Sequence, residues 1–302
     1  MKIASENQRL AFRLVSDVSK IGMSKKEAKA QNLKVVRSIG TQRNYVDWVK
    51  AFLDWCDQIN RPFREHFSIL HTQEYLYELA EEPRTKKEIN DIKVALETTF
   101  KIKLEPVESE HFAILKSRAY QDDQIGKIIN MLTDKFSLSA RICAAANLRV
   151  HELLTLRRTS ELERSTHREW SKDLYIHVSD FVLYTVTGKG GLRRYVAIPT
   201  ALSKELESHR VASCEEITIK DRKIYYTLLY DIAGGQRLSQ AFSAASMKAL
   251  GFSFGAHGLR HRWAQKRFQT LKDNGMDTDT ALSIVSQEMG HFRPDIVLAY
   301  FR

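Results

Sequence analysis

Apolar residues recur every three to four positions along most of the chain, which is the spacing of one face of an α-helix. In the segment that begins at Thr41, a suitable N-cap residue, the aromatic side chains of Tyr45, Trp48, Phe52 and Trp55 follow this spacing. The first hundred residues are therefore predicted to be all-helical. The predicted helices cover residues 6–20, a short stretch after Ser24, the segment from Thr41 to Trp55, and residues 71–80 and 84–100.

The helical pattern breaks at Lys101–Glu110, which contains Pro106 and several polar residues. Such a stretch is typical of a linker between domains. We therefore predict three parts: a helical extension at residues 1–36, a helical domain at 37–105, and a second domain at 111–302.

The second part of the chain changes period once, from helical spacing to runs of β-branched and aromatic residues. Those runs predict strands, and the glycines of Gly188–Gly191 predict a hairpin turn between the last two. The predicted fold class is mainly α with a small antiparallel β-sheet. The strands are expected at Leu174–Val178, Phe181–Thr187 and Leu192–Ile198, and the helices near 111–119, 121–133, 137–157, 200–209, 221–230, 238–250, 257–272, 277–289 and 294–301.

The net charge is +10, and residues 111–302 carry most of it, with 28 basic and 20 acidic side chains. This excess favours a polyanionic partner. No apolar run approaches the roughly 20 residues of a membrane helix, and no secretion signal precedes the first helix, so we expect a cytoplasmic protein without a membrane partner. Three widely spaced cysteines, Cys56, Cys143 and Cys214, fit neither a disulfide framework nor a zinc site.

Five short patterns in the second domain contain residues suited to phosphate chemistry. Taken singly, each has a common structural explanation: a surface ion pair, a glycine turn, a core histidine or a packed tyrosine. Together they supply two arginines, two histidines, one lysine and one tyrosine in a basic domain. The patterns are Arg149 with Glu152, Lys189 at the hairpin tip, His257 with Arg260, His291 after Gly290, and Tyr300 nine residues later.

Cleaving a phosphodiester without a metal requires cations that stabilise the charge developing on phosphorus. It also requires a nucleophile and an acid for the leaving oxygen. The six residue types meet these needs. No carboxylate cluster suited to Mg²⁺ lies near the patterns, which argues against a two-metal nuclease.

The same patterns resemble those of the tyrosine recombinases, the family of phage integrases and Xer- and Cre-like enzymes. Arg149 with Glu152-Leu153-Leu154 is similar to the family's first arginine box, with Asn147 in the place of a usual glycine. Thr187–Gly190 resembles the hairpin that carries the family's lysine. His257-Gly258-Leu259-Arg260-His261 and Met289-Gly290-His291 with Tyr300 resemble its last two boxes. The resemblance covers about residues 40–302.

The resemblance implies a site-specific recombinase, and an integrase of a mobile element. Tyr300 would attack the scissile phosphate and form a 3′-phosphotyrosine, while Arg149 and Arg260 would bind the non-bridging oxygens. Lys189 would protonate the 5′ oxygen, and Glu152 would orient Arg149. Because the phosphotyrosine stores the bond energy, the reaction would need no cofactor.

Two histidines complete the implied site: His257 and His291 would donate hydrogen bonds or carry the tyrosine proton. Residues 37–105 would be the core-binding domain and 111–302 the catalytic domain, closing on double-stranded DNA in the nucleoid. A homotetramer would act on two sites, with an accessory directionality protein as an optional partner. Further DNA contacts are expected from Thr41, Arg43, Arg193, Arg194 and Lys248.

Two other functions remain open from the sequence. A non-catalytic DNA-binding regulator could use the same scaffold, although it would have no reason to keep all six residue types. A type IB topoisomerase shares the chemistry, but the helical N-terminal domain and the lack of long extra segments favour a recombinase.

Overall fold

The chain forms two compact units, Met1–Ile114 and Leu115–Arg302. They are seen in a computed structural model that describes residues 5–23, 25–111, 117–212, 217–221 and 224–301. The side chains of Lys25 and Lys189 also lie outside this description. The fold is mainly α-helical with a small antiparallel sheet, as the sequence predicts, and it has a second, two-stranded antiparallel sheet that the sequence does not predict.

The first unit is a helical cluster around an aromatic core. The Phe52 ring lies in the longest helix of this unit. It stacks against the Trp55 ring and packs against the rings of Tyr75 and Phe100. Leu10 and other apolar residues before position 37 join this same core. The described helices of this unit are α1 (Glu6–Asp17), α2 (Lys25–Ala30), α3 (Ile39–Gln58), α4 (Phe63–His66), α5 (Ile69–Glu81) and α6 (Lys86–Phe100).

Helix α3 begins two residues earlier than the sequence predicts. Ser38 is its N-cap, and the Ser38 hydroxyl accepts a hydrogen bond from the backbone N–H of Thr41 at 3.1 Å. The prediction that Thr41 caps this helix is therefore wrong. Both residues are good caps by type, and only the observed backbone bond distinguishes them.

The second unit packs helices around a three-stranded sheet with the order β1-β2-β3. Strand β2 pairs with β3 in the register Phe181↔Pro199 to Thr187↔Arg193, so the predicted hairpin is confirmed. The described elements are α7 (Asp122–Ile129), α8 (Asp134–Ala146), β1 (Arg157–Arg158), β2 (Phe181–Thr187), β3 (Arg193–Pro199), α9 (Thr200–Ser208), β4 (Ile217–Asp221), β5 (Ile224–Leu228), α10 (Gly235–Leu250), α11 (His257–Asp273) and α12 (Thr278–Glu288), with short 3₁₀ turns at Glu152–Thr155, Lys189–Gly191 and Pro294–Tyr300.

Three predictions for this unit are wrong. The helix predicted at 137–157 ends at Ala146, because Asn147 adopts the left-handed conformation with φ 57°. The predicted strand Leu174–Val178 is a series of turns, and the helix predicted at 221–230 is the β4–β5 hairpin. A short run of apolar residues is compatible with a helix and with a strand, so the sequence pattern alone does not distinguish the two, and tertiary pairing decides. The helix predicted at 111–119 falls largely outside the described residues, and residues 117–120 are not helical.

The ends of the last helices follow local rules. Gly251 ends α10 with φ 78°, and Pro294 opens the final 3₁₀ turn. That turn packs on α11 and α12, and places Val297 and Tyr300 in a core with Ala264 and Val285. The last residue of the proposed motif set is thus part of a packed core.

Candidate active site

The first box lies on a tight turn between α8 and the first 3₁₀ turn. Both residues fall within the helix predicted at 137–157, but α8 ends before them, so Arg149 and Glu152 do not share an α-helical face. The Glu152 carboxylate instead accepts hydrogen bonds from the backbone N–H of Arg149 at 2.8 Å and from its Nη1 at 2.7 Å. The three-residue spacing therefore orients the arginine through its own turn.

Two further arginines converge on Glu152 from elsewhere in the unit. Arg194 of β3 donates from Nη2 to Glu152 Oε2 at 2.8 Å, and Arg260 Nη1 of α11 lies 3.9 Å from the same oxygen. Both arginines are only 1% exposed, and Glu152 is 2% exposed. We call Arg149, Arg194, Arg260 and Glu152 the arginine cluster.

The arginine cluster has three cations and one anion, so it carries an excess of positive charge. Burial alone would raise the pKa of Glu152, but Arg194, Arg260 and Arg149 outweigh it and lower the pKa to about 2. Burial, followed by the neighbouring Arg149, lowers the pKa of Arg260 to about 10. Glu152 and Arg260 are therefore charged at neutral pH, and an excess of arginines over carboxylates favours an anion.

The buried arginines also bind main-chain carbonyls. Arg260 donates from Nη1 to the Asn147 carbonyl and from Nη2 to the Met289 carbonyl at 3.1 Å. Its Nε has no hydrogen-bond partner among the described residues. A guanidinium has five N–H donors, so these two bonds do not use all of them.

His291 joins the exposed edge of the cluster. Arg149 Nη2 lies 3.2 Å from His291 Nε2. Burial, with Arg149 and Arg260 next in effect, lowers the pKa of His291 to about 4. Beside these two groups is a cavity of about 200 Å³, lined by Arg149, Glu152, Gly188, Leu192, Arg194, Gly290 and His291. The cavity is large enough for a phosphate group, and its lining includes two cations, the Glu152 carboxylate that pairs with both of them, and a neutral imidazole.

Tyr300 lies among three histidine rings. The Tyr300 ring centroid is 4.7 Å from that of His261, 5.5 Å from that of His257 and 6.3 Å from that of His291. The residue is 7% exposed. Partial burial and the nearby Arg260 lower the pKa of His257 to about 4, although the residue as a whole is exposed. The lowered pKa values of His257 and His291 keep both rings neutral at pH 7.

The backbone of Tyr300 is fixed by helix α11. Gln265 Nε2 donates to the Tyr300 carbonyl at 2.9 Å, and His261 Nδ1 lies 3.3 Å from the same oxygen. Both contacts come from side chains of the same unit as Tyr300.

No protein-family model matches the chain, and no curated protein sequence matches it significantly. Solved structures match over nearly its whole length. XerH site-specific recombinase bound to the palindromic difH substrate is 14% identical, with 98% of this chain and 90% of that chain covered and a TM-score of 0.54. A lambda integrase dimer bound to a COC′ core site is 15% identical, with 97% and 81% covered and a TM-score of 0.54. A lambda integrase tetramer bound to a Holliday junction is 16% identical, with 99% and 81% covered and a TM-score of 0.51.

The chain has the tyrosine recombinase fold. Within this fold, five of the six residues that the sequence singles out lie around one site: Arg149, His257, Arg260, His291 and Tyr300. The sixth, Lys189, lies on the turn between β2 and β3, and its side chain is outside the described residues.

The residues expected to make other DNA contacts fall into two groups. Thr41 and Arg43 lie in the first turns of α3, while Arg193 on β3 and Lys248 on α10 are exposed in the second unit. Their DNA contacts stay predictions. Arg194 is different, because burial removes its side chain from the surface where the prediction placed it.

Three residues of the candidate site were missed or misplaced by sequence reasoning. Arg194 shares its side of β3 with Val196 and Ile198, which are both fully buried. Since alternate residues of a strand face the same side, this period of two could have indicated that Arg194 points inward. His261 and Gln265 carry no comparable signal, since their role depends on where Tyr300 packs.

No helix in the described ranges is long and apolar enough to cross a membrane. Within the same part of the chain, no group of three or more His, Cys, Asp and Glu side chains is arranged to hold a metal ion.

Proposed function

We propose that this protein is a site-specific DNA recombinase that cuts and rejoins strands through a 3′-phosphotyrosine. The observation that carries the proposal is the position of Tyr300, a tyrosine surrounded by neutral histidines in the same unit as a cavity with surplus positive charge. The recombinase fold supports the same conclusion.

The proposed reaction exchanges one phosphodiester for another. The Tyr300 oxygen forms a bond to phosphorus, its proton passes to a neutral histidine, and the bond to the 5′ oxygen breaks. Lys189 gives a proton to that oxygen, so charge is balanced. Arg149 and Arg260 stabilise the non-bridging oxygens, where charge increases in the transition state. The reverse sequence, with another 5′-hydroxyl, rejoins the strand.

The partners follow from this chemistry as proposals. Residues 37–105 and 111–302 would act as core-binding and catalytic domains on double-stranded DNA in the nucleoid. The match to a lambda integrase tetramer bound to a Holliday junction supports a homotetramer that acts on two sites. Integration of a mobile element is the role we propose for it, with a directionality protein as an additional partner.

Covalent trapping on nicked duplexes tests the proposal. Duplexes drawn from DNA flanking the protein's own gene are incubated with the protein, and binding is followed in the same samples. We expect an adduct that survives denaturant and disappears in Tyr300→Phe. The matched control is Tyr225→Phe, since Tyr225 is an exposed tyrosine of the same unit.

Each other outcome has a definite meaning. Binding without an adduct would support the non-catalytic regulator, and an adduct of normal yield in Tyr300→Phe would mean another nucleophile. Relaxation of any supercoiled plasmid, without dependence on a site, would indicate a type IB topoisomerase.

A further inference from the structure

Arg194 has a set of contacts that the proposed reaction does not explain. Its Nη2 donates to Glu152 Oε2 at 2.8 Å and to the Asn147 carbonyl at 3.0 Å. Its Nη1 donates to the Glu288 carbonyl at 2.9 Å. One buried guanidinium thus joins the turn that carries Arg149 to the end of α12, just before His291.

The backbone around Arg194 is built to admit it. Gly290 has φ 75°, and a Cβ there would lie 2.9 Å from Arg194 Cδ and 3.1 Å from its Nε. A side chain at this position would displace the arginine. The residue before His291 is therefore a glycine for two reasons, its left-handed backbone and the space that Arg194 occupies.

The shared partner, Glu152, links Arg194 to the phosphate-binding arginine. Glu152 Oε1 accepts from Arg149 Nη1, and Oε2 accepts from Arg194 and from the Arg149 backbone. Arg149 Nη2 is left facing His291. Arg194 thus occupies Glu152 Oε2, which leaves only Oε1 for the Arg149 guanidinium. Glu152 and the Arg149 guanidinium therefore do not form a bidentate pair.

We propose that Arg194 is a positioning residue of the cleavage site, which acts through Glu152 and the Glu288 carbonyl to hold Arg149 and His291 at one phosphate. The proposal rests on the proposed function. It assigns Arg194 to the interior of the site, in place of the predicted surface contact with DNA.

Charge supports the same assignment. Without Arg194, the cluster would hold two cations and one anion, and the surplus that attracts a phosphate would fall by half. Arg194 also lines the cavity of about 200 Å³ together with Arg149 and His291. The position of Arg194 in the cavity wall therefore favours a role at the anion site over a role in packing alone.

Three variants separate positioning from folding. Arg194→Met keeps the methylene packing and removes the charge, whereas Arg194→Lys keeps the charge and loses the planar fork. Arg267→Met is the matched control, since Arg267 is 5% exposed and binds Glu288 away from Glu152. All are compared at a temperature where each variant is folded by circular dichroism.

The first measurement is single-turnover adduct formation on a duplex that traps the unmodified protein. We expect Arg194→Met to form adduct about 100-fold more slowly at saturating DNA, the loss expected when a catalytic group is displaced by about 1 Å. We expect Arg194→Lys to be faster than Arg194→Met but slower than the unmodified protein. Arg267→Met should form adduct at the rate of the unmodified protein. In the double variant Arg194→Met, Glu152→Gln, the losses should not multiply, because both act on Arg149. An unchanged rate in Arg194→Met, or multiplying losses, would overturn the proposal.

The second measurement does not need the DNA target. Inorganic phosphate is titrated into the ¹⁵N-labelled protein, and the His291 imidazole signals are followed by NMR. We expect saturable shifts in the unmodified protein and about tenfold weaker binding in Arg194→Met, as expected from weaker charge-assisted hydrogen bonds.

The two measurements separate the two proposals. If no duplex gives an adduct but phosphate binding depends on Arg194, the recombinase function fails and the anion site stands. If phosphate does not shift His291, or binds Arg194→Met as tightly as the unmodified protein, the positioning role is wrong.

Discussion

The second unit contains two buried groups of arginine and glutamate that differ in balance. Arg267 and Glu288 form a bidentate pair, with both nitrogen–oxygen distances at 2.8 Å, and their charges cancel. The arginine cluster places three cations on the single carboxylate of Glu152. The Arg267–Glu288 pair is electrically neutral, whereas the arginine cluster has surplus positive charge beside a cavity.

This difference distinguishes a structural pair from a binding site. A balanced buried pair links elements together, here α11 to α12, and costs free energy mainly when one partner is removed. A cluster with surplus charge is costly by itself, since its cations repel each other in a poorly solvated place. A bound anion would reduce the repulsion among these cations. Surplus positive charge beside a cavity is therefore the expected arrangement for a site that stabilises a phosphate.

Replacing one arginine from each group tests this comparison most strongly. We expect Arg260→Met to slow adduct formation about 1000-fold, since the proposed role of Arg260 is to stabilise the charge that develops on the phosphate. Its free energy of unfolding should change little, because the loss of two hydrogen bonds is offset by relief of repulsion. Arg267→Met should behave in the opposite way, with cleavage retained and stability reduced by about 3–5 kcal/mol. Urea unfolding and single-turnover trapping measure the two quantities, and equal stability losses would refute the distinction.

The proposed reaction needs a proton donor for the leaving 5′ oxygen in addition to the arginines that stabilise charge. Lys189, on the β2–β3 turn, is the proposed donor. We expect Lys189→Ala to slow cleavage by at least about 100-fold, and a 5′-thiol leaving group to restore the rate. Lys204→Ala, an exposed lysine of α9, is the control. Failure of the thiol to rescue Lys189→Ala would mean that another group is the acid.

The sequence predicted the fold class, most of the helices and five residues that the structure brings together. It succeeded there because helical spacing and short motifs are local. It failed for Arg194 and for Gln265, whose contacts join β3 to Glu152 and α11 to Tyr300. Such contacts depend on packing between distant segments. The end of α8 was also missed, because a left-handed Asn147 within an apolar run gives no clear stop signal.

The contact between α11 and Tyr300 gives a smaller effect. Gln265→Leu removes the 2.9 Å hydrogen bond to the Tyr300 carbonyl but leaves His261 in place. We expect adduct formation to slow by about fivefold to tenfold, the worth of one hydrogen bond, with DNA affinity unchanged. Gln269→Leu, one turn further along α11, is the control because Gln269 binds Asp273. If Gln265→Leu weakens DNA binding but leaves the rate of adduct formation unchanged, Gln265 acts on DNA binding and does not position Tyr300.

The surplus charge also predicts how stability responds to acid. Burial and the cluster hold the pKa of His291 at about 4, below the ordinary value near 6.5. Between these values the unfolded chain binds a proton that the native protein does not, so stability falls as pH drops from about 6.5 to 4. The pKa of Glu152, held at about 2, extends the loss to lower pH.

His291→Asn tests that acid response, because it removes the titrating ring. Its stability should fall less over this window, by on the order of 1 kcal/mol since the ring is partly exposed and screened. His167→Asn, an exposed histidine of the same unit, is the control. Thermal unfolding at pH 7.5, 5 and 4 provides the measurement, with these pH values chosen to bracket the ordinary and lowered pKa. If His291→Asn and His167→Asn lose stability in parallel, the cluster does not hold His291 neutral, and its cations are balanced by some other means.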